Sequence, residues 1–163
     1  MAALAAVVSG NTAWSKVNKA LAGASPAVQD MFRGLKIYMA NQGLNPNLNV
    51  AFWSQTESVT GSTATGVLLG TGQPKVYAVY AKKGSVATLA FLKVADDVSG
   101  PATAATWKIV LNSSGASDEV AYMNYNPTAY VSGIAIASHT TATGATLSTG
   151  AATGFDGFVI YSV

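Results

Sequence analysis

The sequence predicts a mainly β protein in which an antiparallel β-sandwich or jelly-roll-like body follows two short N-terminal helices. Beyond residue 45 the apolar runs are short, rich in β-branched and aromatic residues, and broken by Gly, Pro and Asn, which is typical of such β bodies. Before residue 45 the apolar residues recur at helical spacing instead. We therefore divide the 163 residues into an N-terminal helical arm at residues 1–45 and a β-sandwich domain at residues 46–163.

The two helices are predicted from apolar spacing and from residues that favour helix ends. Trp14, Val17 and Leu21 fall on one face of the first helix. The Ser-Pro pair at residues 25–26 is a favourable start for the second helix, and Gly43 is a favourable end. Two interpretations stay open: the helices pack on the β domain as an ordinary core face, or they form an arm that docks onto a partner subunit.

Residues 75–97 are expected to form the central hairpin of the β domain. Two apolar runs, at residues 76–81 and 86–95, flank the short link Lys-Lys-Gly at residues 82–84, and such a pattern predicts two paired strands. The lysine pair in the link and the aspartate pair that ends the second run are expected to be solvent-facing tips or polar contacts with neighbouring subunits. We expect charge reversal of both lysines to leave folding intact.

Further short strands are expected along the rest of the chain. Around residue 109 larger apolar side chains alternate with their neighbours, so one face should be directed to the core. The residues of that face are Trp107, Ile109 and Leu111, and they alternate with Thr106, Lys108 and Val110. The last strand should be paired inside a sheet, with Phe158 and Ile160 on the face opposite to Phe155, Val159 and Tyr161. The predicted strands lie at residues 50–53, 67–69, 107–111, 119–124, 130–138 and 155–163.

Charge is scarce in this chain. Charged residues make up 10% of the sequence, against about 25% in typical soluble domains. A surface of Ser, Thr, Asn, Gly and Ala suits a protein packed against neighbours, although neutral polar residues also solvate a monomer. The net charge of +2 and the lack of Arg-rich patterns argue against a nucleic-acid partner. No apolar run approaches the ~20 residues of a membrane span, no secretory signal is expected at the start, and cysteines are absent.

Residues that carry chemistry do not form a recognisable constellation. His139 is the single histidine, whereas zinc sites use several Cys or His ligands and catalytic relays need a placed nucleophile. The acidic pairs Asp96-Asp97 and Asp118-Glu119 are expected to end strands in turns, because adjacent residues point to opposite faces. Calcium at Asp96 and Asp97 stays open, without EF-hand spacing. We predict no catalytic, cofactor-binding or metal-binding residues, no cofactor, and no enzymatic activity.

The tyrosines allow two interpretations. They could form a recognition surface, since Tyr anchors many interfaces, or they could pack as core and half-buried residues. Two of them, Tyr77 and Tyr80, are an odd number of residues apart, so a regular strand would send them to opposite faces. The five tyrosines concerned are Tyr77, Tyr80, Tyr122, Tyr125 and Tyr130.

Four segments of the chain resemble small virion proteins of tailed bacteriophages, namely head decoration (cement) proteins or short fibre-associated subunits. The resemblance covers roughly the C-terminal half and lies in the order of these segments and in their residue pattern. It implies an all-β, often trimeric protein that lies on the capsid exterior, braces the shell and has no catalytic residues. The segments run from KVY at 75–77 to FLK at 91–93, and include WKIV at 107–110, GIAIASHTT at 133–141 and DGFVI at 156–160.

The resemblance and the composition together predict a non-enzymatic virion structural protein. We expect it to decorate and stabilise a bacteriophage capsid by binding the major capsid protein, as a homotrimer on the capsid exterior, with no nucleic-acid or membrane partner. The alternative is a fibre-type receptor- or glycan-binding module in which exposed tyrosines stack on sugars. A hydrolase on a β scaffold is a third class, which would depend on His139.

Overall fold

The computed structural model describes residues 4–53, 67–69, 73–97, 107–140, 142 and 154–163. Two α-helices, a 3-10 turn at Asn45–Asn47 and nine strands are formed within these ranges. The helices are α1 (Asn11–Ala20) and α2 (Pro26–Asn41). The strands are β1 (Leu4–Ser9), β2 (Leu48–Trp53), β3 (Val67–Leu69), β4 (Lys75–Lys83), β5 (Ala90–Asp96), β6 (Trp107–Ser113), β7 (Glu119–Met123), β8 (Ile134–His139) and β9 (Phe155–Ser162).

The strands form two antiparallel sheets. One has five strands in the order β1-β2-β9-β4-β7, and the other has four in the order β3-β8-β5-β6. The predicted mainly β class is therefore confirmed, with a sandwich-like body and two helices. Neither helix in the described part of the chain has the length and hydropathy that crossing a bilayer requires.

The two sheets enclose the first of two apolar cores. Val79 and Val159 reach into it from the five-stranded sheet, while Leu92, Val94 and Ile136 reach into it from the four-stranded sheet. All five side chains are fully buried. Trp53 also lies here, and its indole N–H donates a hydrogen bond of 2.9 Å to the backbone carbonyl of Phe155. Apolar burial of this kind is the main term that favours folding.

The helices pack on the outer face of the five-stranded sheet and enclose the second core. Trp14 and Val17 of α1 and Leu35 of α2 are buried against this face, together with Phe158 and Ile160 of β9. The folded chain thus has three layers, helix on sheet on sheet, and packing on the β domain is the interpretation of the helices that the structure supports. The first 45 residues also contain β1, a strand that the sequence analysis did not predict and that pairs with β2.

The predicted central hairpin is wrong, because β4 and β5 belong to different sheets. The link between them is longer than expected, because β4 ends at Lys83 and β5 begins only at Ala90. Val86 and Leu89, which were expected in the second strand, lie in this link and are 38% and 51% exposed. A connection of this length lets the chain cross from one sheet to the other, a separation of about 10 Å.

The tyrosine prediction for β4 is also wrong. Tyr77 and Tyr80 both face the helices and are 5% exposed. The register against β9 shifts between Val76 and Ala78, and a β-bulge of this kind adds one residue and reverses the alternation that follows it. The odd spacing therefore places both rings on one face.

The last strand matches its prediction. β9 lies between β2 and β4, with Phe158 and Ile160 toward the helices and Phe155, Val159 and Tyr161 toward the other sheet. Burial on both faces is typical of an inner strand and explains its nearly continuous apolar sequence.

Candidate functional site

Asp96 anchors a loop by accepting hydrogen bonds from three consecutive backbone N–H groups. Its carboxylate lies 2.9 Å from the nitrogen of Val131, 2.7 Å from that of Ser132 and 3.3 Å from that of Gly133. Burial alone would raise the pKa of Asp96, but these hydrogen bonds and the nearby Lys108 outweigh it, and the pKa lies below its ordinary value. The predicted strand-ending role is confirmed, with the added function of holding the entry to β8.

Asp118 and Lys83 fix the loops at one end of the sandwich. The Asp118 carboxylate accepts hydrogen bonds of 2.7 Å from the Ser113 hydroxyl and from the Gly115 backbone N–H. Lys83 is 2% exposed, and its ammonium donates to the carbonyls of Val86 and Gly115. The prediction that this lysine is a solvated tip is therefore wrong, because the backbone carbonyls of two loops surround it.

Glu119 joins the helical layer to the sheet. Its carboxylate accepts hydrogen bonds of 3.0 and 3.1 Å from the backbone N–H of Ser25, at the start of α2, and one of 3.1 Å from the Tyr80 hydroxyl. Burial, and then the charge of Glu119, raise the pKa of Tyr80 to about 12. Negative charge at a helix N-terminus is favourable, so Glu119 has a structural role.

Three side chains form a cluster at one side of the four-stranded sheet. Lys93 and His139 are fully buried, the Lys93 nitrogen lies 3.2 Å from the centroid of the Trp107 ring, and the rings of Trp107 and His139 are 5.5 Å apart. Burial lowers the pKa of Lys93 to about 8. Within the described ranges, His, Asp and Glu side chains nowhere gather in threes that would hold a metal ion. Sequence reasoning placed Lys93 in a strand but gave no signal of its burial.

Most of the tyrosines pack inside the protein. Tyr122 is half-buried and Tyr125 is 43% exposed. The Tyr125 ring packs edge-on against Tyr38 at 4.9 Å, and the Tyr38 hydroxyl donates to the Tyr125 carbonyl. A recognition surface made of all five tyrosines is therefore wrong, because three of them belong to the cores: Tyr77, Tyr80 and Tyr130.

A groove lies between the end of α1 and the five-stranded sheet, and we call it the helix–sheet groove. It consists of two adjoining cavities of about 350 and 270 Å³ that share Ala20 and Phe52. Its other lining residues are Lys16 and Lys19 of α1, Trp53 of β2, Tyr80 and Lys82 of β4, and Asp156, Gly157 and Phe158 of β9. Sequence reasoning missed it, since residues far apart in the chain form it.

Charge is distributed unevenly between the layers. Residues 1–45 contain four basic residues and one acidic residue, a net charge of +3, whereas residues 46–163 contain five basic and six acidic residues, a net charge of −1. On the described helices, Lys16, Lys19, Arg33 and Lys36 are all exposed, and Arg33 pairs with Asp30. The helical layer is therefore the basic side of the protein.

Large apolar side chains are exposed at several places on the surface. Val131 is 73% exposed, Val163 69% and Ile37 57%. They lie before β8, at the last residue and on α2 respectively.

No protein-family model matches this chain, and neither a curated protein nor a solved structure does.

Proposed function

We propose that this chain is a non-enzymatic structural subunit of a tailed-bacteriophage virion. In this proposal it decorates the capsid exterior as a homotrimer bound to the major capsid protein, and it stabilises the shell. The observation that carries the proposal is a charge-poor chain, with 10% charged residues, that exposes large apolar side chains such as Val131 and Ile37. Such a surface favours packing against protein neighbours. The segments that resemble cement proteins add the phage context.

The internal contacts also support a bracing role. The charged residues Asp96, Lys83 and Glu119 bind backbone groups and join loops, strands and α2. The five-stranded sheet is covered on both faces, by the helices and by the other sheet. A body fixed in this way can link neighbouring capsid subunits without deforming, and association with them would stabilise its folded state.

The fibre-type receptor- or glycan-binding module has less support. Stacking on a sugar needs exposed aromatic faces, and among the five tyrosines only Tyr125, at 43%, is largely exposed. A glycan array distinguishes the two functions: saturable binding to one sugar class would favour the module, and a lack of binding favours the capsid subunit. A hydrolase function would need a measured activity that is lost when His139 is replaced by alanine. His139 is fully buried.

Assembly and capsid binding test the proposal. Light scattering at low micromolar protein should give the mass of a trimer. Sedimentation with purified capsid shells of the phage that encodes the chain should show saturable binding, at a stoichiometry that is a multiple of three per site. Shells already saturated with unlabelled protein are the matched control and should take up little more. A strict monomer that remains in the supernatant would contradict the proposal.

A further inference from the structure

We propose that the helix–sheet groove is the docking site for a short segment of the major capsid protein that carries acidic and apolar side chains. This inference rests on the proposed function, because it identifies the part of the surface that meets the capsid and the chemistry of the segment that it receives.

The floor of the groove is aromatic and held in place. Phe52 is only partly buried and packs against the buried Phe158, with ring centroids 5.6 Å apart. Phe158 in turn packs at 5.4 Å against both Phe32 and Tyr80. An apolar side chain that inserts beside Phe52 would therefore meet a preformed surface and displace water from it, which is the main source of affinity in such grooves.

The rim of the groove is basic at its α1 end. Lys16 and Lys19 are exposed and lie three residues apart, so they project from the same side of the helix. Both line the cavity that contains Phe52. At the opposite end Lys82 faces Asp156 across the strand pair, so the positive potential is concentrated beside α1. A complementary segment would place its carboxylates there and its apolar side chains over Phe52.

The aromatic floor and the modest charge favour a protein segment over a nucleic acid. Basic nucleic-acid sites use clustered Arg and Lys along a phosphate path. Here Arg33, the single arginine of the chain, is paired with Asp30 and lies outside the groove lining. Two lysines beside a phenylalanine instead complement an acidic peptide with apolar anchors, because the lysines attract its carboxylates and the ring packs against its apolar side chains.

The test measures fluorescence anisotropy with the full chain and a fluorescein-labelled 12-residue peptide of alternating Asp and Leu. A peptide with Lys in place of Asp and a single-stranded DNA 20-mer serve as comparison probes. Two variants target the groove: the double variant Lys16→Glu/Lys19→Glu removes the basic rim, and Ala20→Trp fills the cavity. Lys36→Glu, which replaces an exposed lysine on α2, is the matched control. All four positions are exposed, so circular dichroism should show an unchanged fold.

The Asp-Leu peptide should bind saturably, and the Lys-Leu peptide should not. Each groove variant should weaken binding at least tenfold, while Lys36→Glu should stay within about twofold of the native affinity. No binding of the Asp-Leu peptide, equal losses for all variants, or tighter binding of the DNA with the same dependence on Lys16 and Lys19 would overturn the inference.

Sedimentation with capsid shells separates this inference from the proposed function. If the native chain binds shells and the groove variants bind equally well, the inference is wrong and the capsid function stands. If the native chain does not bind shells, the capsid function is wrong. Native binding that both groove variants lose and Lys36→Glu retains would support both.

Discussion

Replacing Lys93 with methionine should remove a rise in stability that the native protein shows between about pH 7.5 and 9.5. Lys93 is fully buried, and burial lowers its pKa from 10.5 to about 8. A charged amine taken out of water destabilises the folded state, and it stops doing so once it loses its proton. Methionine has a similar length and carries no charge, so the variant should lack this dependence.

The sign and size of the effect follow from proton binding. Between about pH 8 and 10.5 the unfolded chain binds more protons at this residue than the folded chain does, so the free energy of unfolding must rise with pH in that window. The gain between about pH 7.5 and 9.5 is about 2 kcal/mol. The Trp107 ring, 3.2 Å from the Lys93 nitrogen, favours the charged amine by about 1 kcal/mol, so 2 kcal/mol is an upper value.

The assay is urea denaturation followed by tryptophan fluorescence at half-unit pH steps, with Lys108→Met as the control. Lys108 is exposed, and its replacement should leave the slope unchanged. The window stops at pH 9.5 because tyrosines of the unfolded chain ionise near pH 10, whereas burial raises the pKa of Tyr80 in the folded chain to about 12. At higher pH this difference lowers the free energy of unfolding and opposes the effect of Lys93. A native free energy that is flat or falls with pH, or a methionine variant with the native slope, would refute the reasoning.

Three further substitutions test individual contacts, each by urea denaturation. Gly157→Ala should cost about 3 kcal/mol, because its new Cβ would lie 2.0 Å from the backbone oxygen of Tyr80; a cost under about 0.5 kcal/mol would contradict this close approach. Lys83→Met should cost about 2 kcal/mol by leaving carbonyls without a donor, while Lys82→Met, at the exposed neighbour, should cost less than about 0.5 kcal/mol; equal costs would show that burial of Lys83 is unimportant. Asp96→Asn should cost about 1–2 kcal/mol at neutral pH, and the difference from the native protein should shrink as pH falls through the lowered pKa of this carboxyl; a difference that does not depend on pH would contradict the charge-assisted hydrogen bonds.

Local pattern predicted local structure well in this chain. The apolar spacing of Trp14, Val17 and Leu21 and the Ser-Pro pair marked both helices, and Gly43 adopts the positive φ of +67° that ends a helix favourably. The alternation along residues 155–163 also assigned the five large apolar and aromatic side chains of β9 to their correct faces. Those features depend on neighbours a few residues away, which the sequence displays directly.

Features that depend on distant partners were not predictable. The run at residues 75–97 looked like a hairpin, because sequence shows that two strands are adjacent in the chain but not that they pair with different sheets. The bulge near Tyr77 arises from pairing with β9, about 80 residues later. Any β-sandwich poses this difficulty, because its strand order is set by long-range contacts.

The helix–sheet groove illustrates the same limit for function. Phe52 and Phe158 form its floor only because β2 pairs with β9, and the lysines of α1 reach it only because the helix packs on that sheet. The sequence showed the basic residues of the helices but not the aromatic surface beside them. Likewise, Lys93 occupies an ordinary strand position, and the folded chain reveals its burial.

The number of copies of this chain per virion, measured together with its position in an image of the particle at subunit resolution, tests the proposed function most directly. A capsid subunit should be present in many copies, in a fixed ratio to the major capsid protein, and should lie on the shell exterior in groups of three. Absence from the purified particle, or a few copies confined to the tail, would contradict a role in capsid decoration.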